Sequence, residues 1–388
     1  MSVLSLLAVV YDRPAVRIFQ LLEFNQFNTG SVHQMFQAAA GLRERGHEVT
    51  IVSRPDATLE ARAGEAGVGF AGLPMRHGFD LPSIVALRRL IREKQPDVLH
   101  VHKGIAHALA FAATHPLAGG RPVGAFVVNR GVSFPLDRWN RGKYRTPRVD
   151  RVVTVCEDIK RVIVESGRLP EEKVVVVYAG TDVARFDPDK WDPRAFRSEK
   201  GIAYDRFLVA QVGVRDWKGW MELIDAVRDV AATRPEIHLA LIGCRSQAER
   251  DEVLAYANAR GVGGRVTPVE YRSDMPNVFA SCDLVVDASW AGTGITGTVR
   301  EAMAMQKPVI ATDCGGNREL VSSPDVGWLV PKRDVPALAA AIGEVMDDPA
   351  RRARVAAGAR AHVAAGFSKE LRITRLETLY RAILDAKR

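Results

Sequence analysis

The 388-residue chain has four cysteines, Cys156, Cys244, Cys282 and Cys314, and no CxxC pair among them. A zinc ribbon, a dithiol redox centre and a disulfide framework are thereby excluded. The thiols are expected to act as small buried apolar groups in a reducing compartment. There is no HExxH element, and neither a magnesium nor a zinc catalyst is expected. No uninterrupted apolar run reaches the roughly 18 residues of a membrane-spanning helix. The opening MSVLSLLAVVYDRP carries an apolar run with no basic residue ahead of it. That does not fit a secretory leader; a short strand or a ragged start is expected instead.

What the chain does have is apolar content, 47%, enough to fill more than one core. Its length is that of two or three domains. Lys and Arg exceed Asp and Glu by eight, 54 against 46. Such an excess suits phosphate, nucleic acid or acidic lipid, and is also compatible with solubility alone.

Short β-branched runs alternate with helical patterns. The first half offers VRIFQLL (16–22), HEVTIVS (47–53), DVLHVH (97–102), PVGAFVV (122–128), RVVTV (151–155) and KVVVVY (173–178). The second offers FLVAQVG (207–213), IHLALIG (237–243), RVTPV (265–269), LVVDAS (284–289), KPVIAT (307–312) and GWLVP (327–331). Between them, SVHQMFQAAAGLRERG (31–46) puts Val32, Phe36, Ala39 and Leu42 on one helical face and stops at Gly46. Continuous apolar strands separated by helices predict parallel sheets covered on both sides. The polar stretch 183–200, with two DP steps, is expected to link two such domains. The expected division is 1–185, 186–370 and a terminal helix, 371–388, packing back on the first domain. Two doubly wound α/β domains facing a cleft would hold ligands at the carboxyl ends of their strands.

Several stretches point to such a ligand. GTGITG places Gly292, Gly294 and Gly297 after a strand and before the helix TVREAMAM. Free N–H groups and a helix start suit any phosphate. The spacing also matches a dinucleotide fingerprint, although that normally follows the first strand of its domain, and glycines can serve a tight turn alone. Glu301, early in the helix, could accept from two neighbouring hydroxyls of a ribose, or simply complement the helix dipole. Arg215 and Lys218, three apart after the first strand of the second half, are suited to grip a diphosphate and to stabilise it as a leaving group. In the first half, Asn28, Thr29 and Gly30 form a polar turn into a helix that could touch a sugar or its acceptor. LHVHKG puts His100 and His102 on one side of a strand, without a third metal ligand. NRGVSFPLDRWNRGKYRTPR (129–148) interleaves six basic residues with Phe134, Trp139 and Tyr144. It could meet an anionic lipid-borne acceptor, resemble a single-strand nucleic-acid surface, or be an ordinary loop.

Taken together, these stretches resemble the retaining glycosyltransferases of family 4, which have the GT-B fold of two Rossmann-like domains. FNTGSVH is similar to the family's acceptor-side loop and LHVHKG to its H-x-H-G element. VVVVYAGTDVARF resembles VxVIxNGVDxxxF, with Ala179 replacing Asn. VGVRDWKG matches the Arg and Lys pair on the donor diphosphate, and PVEYRSDMPNVFASCDLVVDAS resembles LGxRxDVPxLLxxADxxVxPS. EAMAMQKPVIATDCGGNREL is close to EAMAxGxPVVATxxGGxxEL. The resemblance implies that Arg215 and Lys218 hold the diphosphate, Glu301 the ribose, and Gly297 and Thr298 the phosphate at the helix start, with Gly315 and Gly316 beside the donor. It implies Asn28, Thr29, Gly30, His102, Asn129 and Arg130 on the acceptor side. The first acid of the family's E-x7-E motif is replaced by Thr293, with Asp287 upstream, and Asn129 and Arg130 stand where the family has a histidine. The implied reaction is metal-independent, cofactor-free retaining transfer from a nucleoside-diphosphate sugar to a glycan or lipid-linked hydroxyl. With Thr293, a front-face route needing no protein nucleophile is expected. The alternatives are an NAD-dependent oxidoreductase using GTGITG and an inactive nucleotide-sugar-binding homologue. The implied setting is cell-envelope polysaccharide or lipopolysaccharide synthesis in the cytoplasm, at the inner face of an anionic membrane, with no nucleic-acid partner.

Overall fold

The structure, a computed structural model, describes residues 14–26, 29–292 and 294–388. The expected N-terminal strand, Asn28 and Thr293 lie outside them. The chain forms two units. One extends to Gly180 and includes Lys369–Arg388; the other is Thr181–Ser368.

The first unit is built on β1 (Arg17–Leu22), β2 (Glu48–Ser53), β3 (Gly69–Gly72), β4 (Val98–His102), β5 (Ala125–Arg130), β6 (Arg151–Thr154) and β7 (Val174–Val176). Their order is β3-β2-β1-β4-β5-β6-β7, all neighbours parallel. β4 is buried at every position and β1 at all but its first, which is why their sequences read as near-continuous apolar runs. β3, with sequence GFAG, escapes that pattern. It is a half-exposed edge strand held by its register on β2, from Thr50↔Gly69 to Ser53↔Gly72.

The Gly30–Glu44 helix buries Val32, Met35, Ala38, Ala39 and Leu42. Phe36, expected on that face, is only partly buried. Gly41 sits mid-helix because a Cβ there would meet Ile373 Cδ1 at 2.1 Å. That isoleucine belongs to the Lys369–Asp385 helix, which buries Ile373, Leu376, Tyr380 and Ile383 in the first unit's core. Its Glu377 carboxylate, 4% exposed, accepts from His47 Nε2 (3.1 Å), Arg45 Nη1 (3.0 Å) and Arg381 Nη2 (3.1 Å).

The second unit carries β8 (Phe207–Val212), β9 (Ile237–Cys244), β10 (Val266–Glu270), β11 (Leu284–Asp287), β12 (Val309–Thr312) and β13 (Trp328–Val330). The order is β10-β9-β8-β11-β12-β13, again parallel. Val209, Leu239, Leu241, Val286 and Ile310 fill its core with helix residues such as Leu223 and Ile342. Residues 183–200, read from composition as a linker, are packed into this unit. The Ala195–Lys200 helix buries Phe196 and Arg197, and Arg197 donates to Ser281 O (2.9 Å) and Asp283 Oδ2 (2.6 Å). All four cysteines are buried and none forms a disulfide. In both sheets the order reverses once, between β1 and β4 and between β8 and β11, which places a crevice at the carboxyl ends of those strands.

Candidate active site

At the reversal in the second unit, the segments after β8, β11 and β12 converge on one buried carboxylate. Asp287 ends β11 and is 2% exposed. Its oxygens accept from Ser289 Oγ (2.5 Å) and Asn317 Nδ2 (3.0 Å), and Thr296 Oγ1 lies 2.9 Å away. The Lys218 ammonium is 3.5 Å from Oδ1. Burial works against the charge on Asp287, but Lys218 and the three donors prevail and hold the carboxyl below its ordinary range.

The turn bearing Arg215 and Lys218 is fixed by features that the pattern of the sequence does not announce. Gln211, wholly buried within β8, receives Ala288 N on its Oε1 (3.0 Å) and donates from Nε2 to Lys218 O (3.0 Å). Gly219 has φ +67°, and a Cβ there would lie 2.1 Å from Ala288 O; only glycine fits. Trp290 N donates to Trp217 O (2.9 Å) and its Nε1 to Asp216 O (2.8 Å), fastening the turn to the loop after β11. Lys218 is thus tied to the start of the Gly297–Ala304 helix through Asp287 and Thr296. Arg215 turns elsewhere. Its Nη1 lies 3.8 Å from Glu249 Oε1, a carboxylate that Arg245 holds more closely. Both predicted cations are therefore loosely held.

Thr296 precedes the Gly297–Ala304 helix but does not cap it. Its hydroxyl faces Asp287 and Asn317 Oδ1 (2.8 Å) instead, leaving the first-turn N–H groups near Gly297 and Thr298 without a cap from its side chain. Glu301, one turn in, is half-buried and its carboxylate has no hydrogen-bond partner among the described residues. Burial pushes its carboxyl up to about 7, with Arg300 and Arg185 opposing. Gly315 (φ +56°) and Gly316 follow β12, and Gly316 N donates to Gly294 O (3.2 Å). Asn317, fully buried, locks this loop to Thr312 O (3.1 Å) and Asp287. Gln211, Thr296, Ser289 and Asn317 were not singled out from sequence. For Gln211 the available signal was an amide inside the apolar run FLVAQVG.

The first-unit residues are dispersed over strand ends and a helix start. Thr29 precedes the Gly30–Glu44 helix and its Oγ1 donates to Gln26 O (3.1 Å). A Cβ at Gly30 would meet nothing within 4 Å, so sterics do not require glycine there. His102 is buried and donates from Nε2 to Gln20 Oε1 (2.7 Å); Gln20 in turn donates to Tyr380, whose hydroxyl reaches His100 Nδ1 (2.5 Å). Burial lowers both imidazoles, His102 to about 3, with Arg372 adding to the effect, so both are neutral at pH 7. Asn129 and Arg130 close β5; Asn129 Oδ1 and Arg130 Nε are buried without a partner among the described residues. In the basic segment Phe134 and Trp139 are exposed, but Tyr144, expected beside them, is buried edge-on to His107 (4.7 Å). Among the described residues no His, Cys, Asp and Glu cluster could hold a metal, and no helix is long and apolar enough to cross a membrane.

Comparison with known proteins agrees with this geometry. A family model described as Glycosyltransferase Family 4 matches residues 29–185, and one described as Glycosyl transferases group 1 matches 206–348. The GDP-mannose-dependent monoacylated alpha-(1-6)-phosphatidylinositol monomannoside mannosyltransferase of Corynebacterium glutamicum is 32% identical over 76% of this chain and 78% of its own length. A solved glycosyltransferase from Rickettsia africae ESF-5 superposes with a TM-score of 0.85 at 19% identity, covering 96% of this chain and 99% of that one. Anabaena Alr3699/HepE, solved in complex with UDP-glucose, gives 0.79 at 22% identity, covering 94% and 99%. A dinucleotide role for GTGITG does not survive these matches. The chain belongs to the group 1, family 4 glycosyltransferases, and is a GT-B enzyme that transfers a sugar from a nucleotide sugar.

Proposed function

We propose that the chain transfers the sugar with retention of configuration to a hydroxyl of a glycan or lipid-linked acceptor, without a metal or a protein nucleophile. The observation that carries this is the Glu301 carboxylate, unpartnered among the described residues, on the same helix whose start is tied, through Thr296 and Asp287, to the Lys218 ammonium. In that arrangement Glu301 accepts from the ribose hydroxyls. Lys218, Arg215 and the uncapped N–H groups at Gly297 and Thr298 take up the charge of the departing diphosphate. Gly315 and Gly316 lie beside the donor, and Thr293 stands where an attacking carboxylate would be needed. Asp287 does not replace it, since both its oxygens are engaged. The acceptor attacks from the leaving-group side and gives its proton to the leaving phosphate oxygen. Thr29, Gly30, Asn28, His102, Asn129 and Arg130 are assigned to the acceptor side. Exposed Phe134 and Trp139 among arginines, together with a relative named for a phosphatidylinositol mannoside, support a lipid-linked acceptor at the inner face of an anionic membrane.

The test is transfer from a panel including UDP-glucose and GDP-mannose, with the anomeric configuration read by NMR. Arg215→Ala and Lys218→Ala should each lower kcat by about 10²–10³, the range for loss of one charge-stabilising group. Undiminished transfer would remove their assigned roles, and an inverted product would reject retention. Nucleotide binding without turnover on any acceptor would instead favour an inactive homologue.

A further inference from the structure

The first unit holds a concentration of positive charge that the donor chemistry does not use. Lys103, between β4 and the Gly104–Ala113 helix, has φ +81° and ψ 177°. This is a conformation essentially reserved for glycine, and a lysine there is strained. Its ammonium lies 4.0 Å from the Phe24 ring centroid. Lys143, on the Arg141–Arg145 helix, reaches the same helix start, with Nζ 3.5 Å from Gly104 O. Burial lowers both ammonium groups; Arg130 adds to the effect on Lys143, while Glu23 opposes it on both, joined by Asp137 on Lys143.

The acids nearby are already occupied. Glu23, 5% exposed, accepts from Ile105 N (3.3 Å) and Ala106 N (3.2 Å). Asp137 accepts from Trp139 N and Asn140 N, both at 2.8 Å, and from Asn140 Nδ2 at 2.5 Å. Arg130 spends Nη2 on Phe134 O (2.8 Å), but its buried Nε has no partner among the described residues. Two half-desolvated ammonium groups, and a guanidinium N–H unsatisfied among the described residues, therefore face only two carboxylates, Glu23 and Asp137, both already committed. Charges withdrawn from water in this way need a counter-charge.

We propose that Lys103, Lys143 and Arg130 form a second anion seat, which takes a phosphate group carried by the acceptor. The proposal rests on the transferase assignment of the preceding section and names its acceptor class: a phosphomonoester or phosphodiester, whether on a soluble sugar or on a lipid headgroup. Lys103 directly precedes the helix whose first carbonyl Lys143 reaches, and its ammonium lies over Phe24, next to Glu23 in the chain.

The test uses the full chain saturated with UDP or GDP, so that the donor site is filled. Calorimetry follows mannose 6-phosphate against mannose. Flotation follows phosphatidylcholine vesicles with and without phosphatidylinositol. Phosphate-dependent binding in either arm supports the seat, and the arm that responds identifies the source. Lys143→Met and Arg130→Gln should each weaken it about tenfold. Lys103→Gly should weaken it equally while raising Tm, because glycine suits that backbone; this pairing separates binding from folding. Should Lys143→Met fail to fold, Lys103→Gly and Arg130→Gln decide alone. Phosphate affinity unchanged in Lys103→Gly and Arg130→Gln, or no phosphate-dependent binding in either arm, would overturn the proposal. Nucleoside-diphosphate binding, measured separately, should be unaltered in Lys103→Gly. Its absence from the wild type would defeat the donor assignment, while the mannose 6-phosphate and vesicle arms would still judge this seat.

Discussion

Glu301 shows how one carboxylate can be read twice. In sequence it is an acid near a helix start; in the structure it is half-buried, unpartnered among the described residues and pushed up to about 7. A group raised above its usual 4.5 contributes most stability below that value and loses the contribution as pH rises through about 7. In the proposed ribose-binding role, binding has the opposite sign, since it is the carboxylate that would accept from both ribose hydroxyls. Nucleoside-diphosphate affinity of the wild type should fall as pH drops through about 7. Glu301→Gln should bind about 10–100-fold more weakly, the worth of hydrogen bonds to a charged group. The variant should also be more stable than wild type above neutrality. A 2′,3′-dideoxy nucleotide should not distinguish the two proteins. Calorimetry across pH checks this, and a pH-independent wild-type affinity would remove Glu301 from the ribose.

At the scale of elements, the site is a meeting of three strand ends, and its precision depends on what ties them. Asp287 links the turn after β8, the start of the Gly297–Ala304 helix and the loop after β12. Asp287→Ala would leave Lys218, Thr296 and Asn317 without their shared acceptor, and should cost about 3–5 kcal/mol, as when one member of a buried pair is removed. Chemical denaturation measures this; a loss under about 1 kcal/mol would show that the three segments hold together by packing alone. Gly219→Ala adds about 1–2 kcal/mol for the left-handed backbone and about 1–3 kcal/mol for the contact with Ala288 O. It should also displace Lys218, raising KM for the nucleotide sugar.

The motifs around Lys218, Glu301 and Gly316 were legible because each lies in a local run with recognisable spacing. Asn317, Thr296 and Gln211 were not, because each also has a partner 21 to 77 positions away that no local pattern announces. The edge strand β3 was missed for a related reason: GFAG has little strand character and is held by its neighbour β2.

At the scale of the whole chain, the last helix returns to the unit built by the first 180 residues. Glu377 anchors it, and although burial resists its charge, His47, Arg45 and Arg381 bring the carboxyl down to about 2. A lowered acid contributes stability above its unfolded value, near 4.5, and loses it as pH falls toward about 2. Glu377→Gln should therefore destabilise the first unit by about 3 kcal/mol at neutral pH, with the deficit closing in acid. Calorimetric unfolding from neutral pH downward would show it, and a deficit constant with pH would mean that the carboxylate charge is not what pins the helix.

The sequence by itself determined the alternation of apolar strands and helices, the two parallel sheets, and the glycine, lysine and glutamate positions after the strands. These are local quantities, set by side-chain periodicity and by residues that alone permit a given backbone. Only the tertiary structure decided that 183–200 packs as part of the second unit, that Tyr144 is buried, that Asp287 is saturated with donors and that Glu301 is not. Burial and hydrogen-bond satisfaction depend on segments far apart in the chain, and they set both the charge a carboxyl can carry and its freedom to bind a ligand.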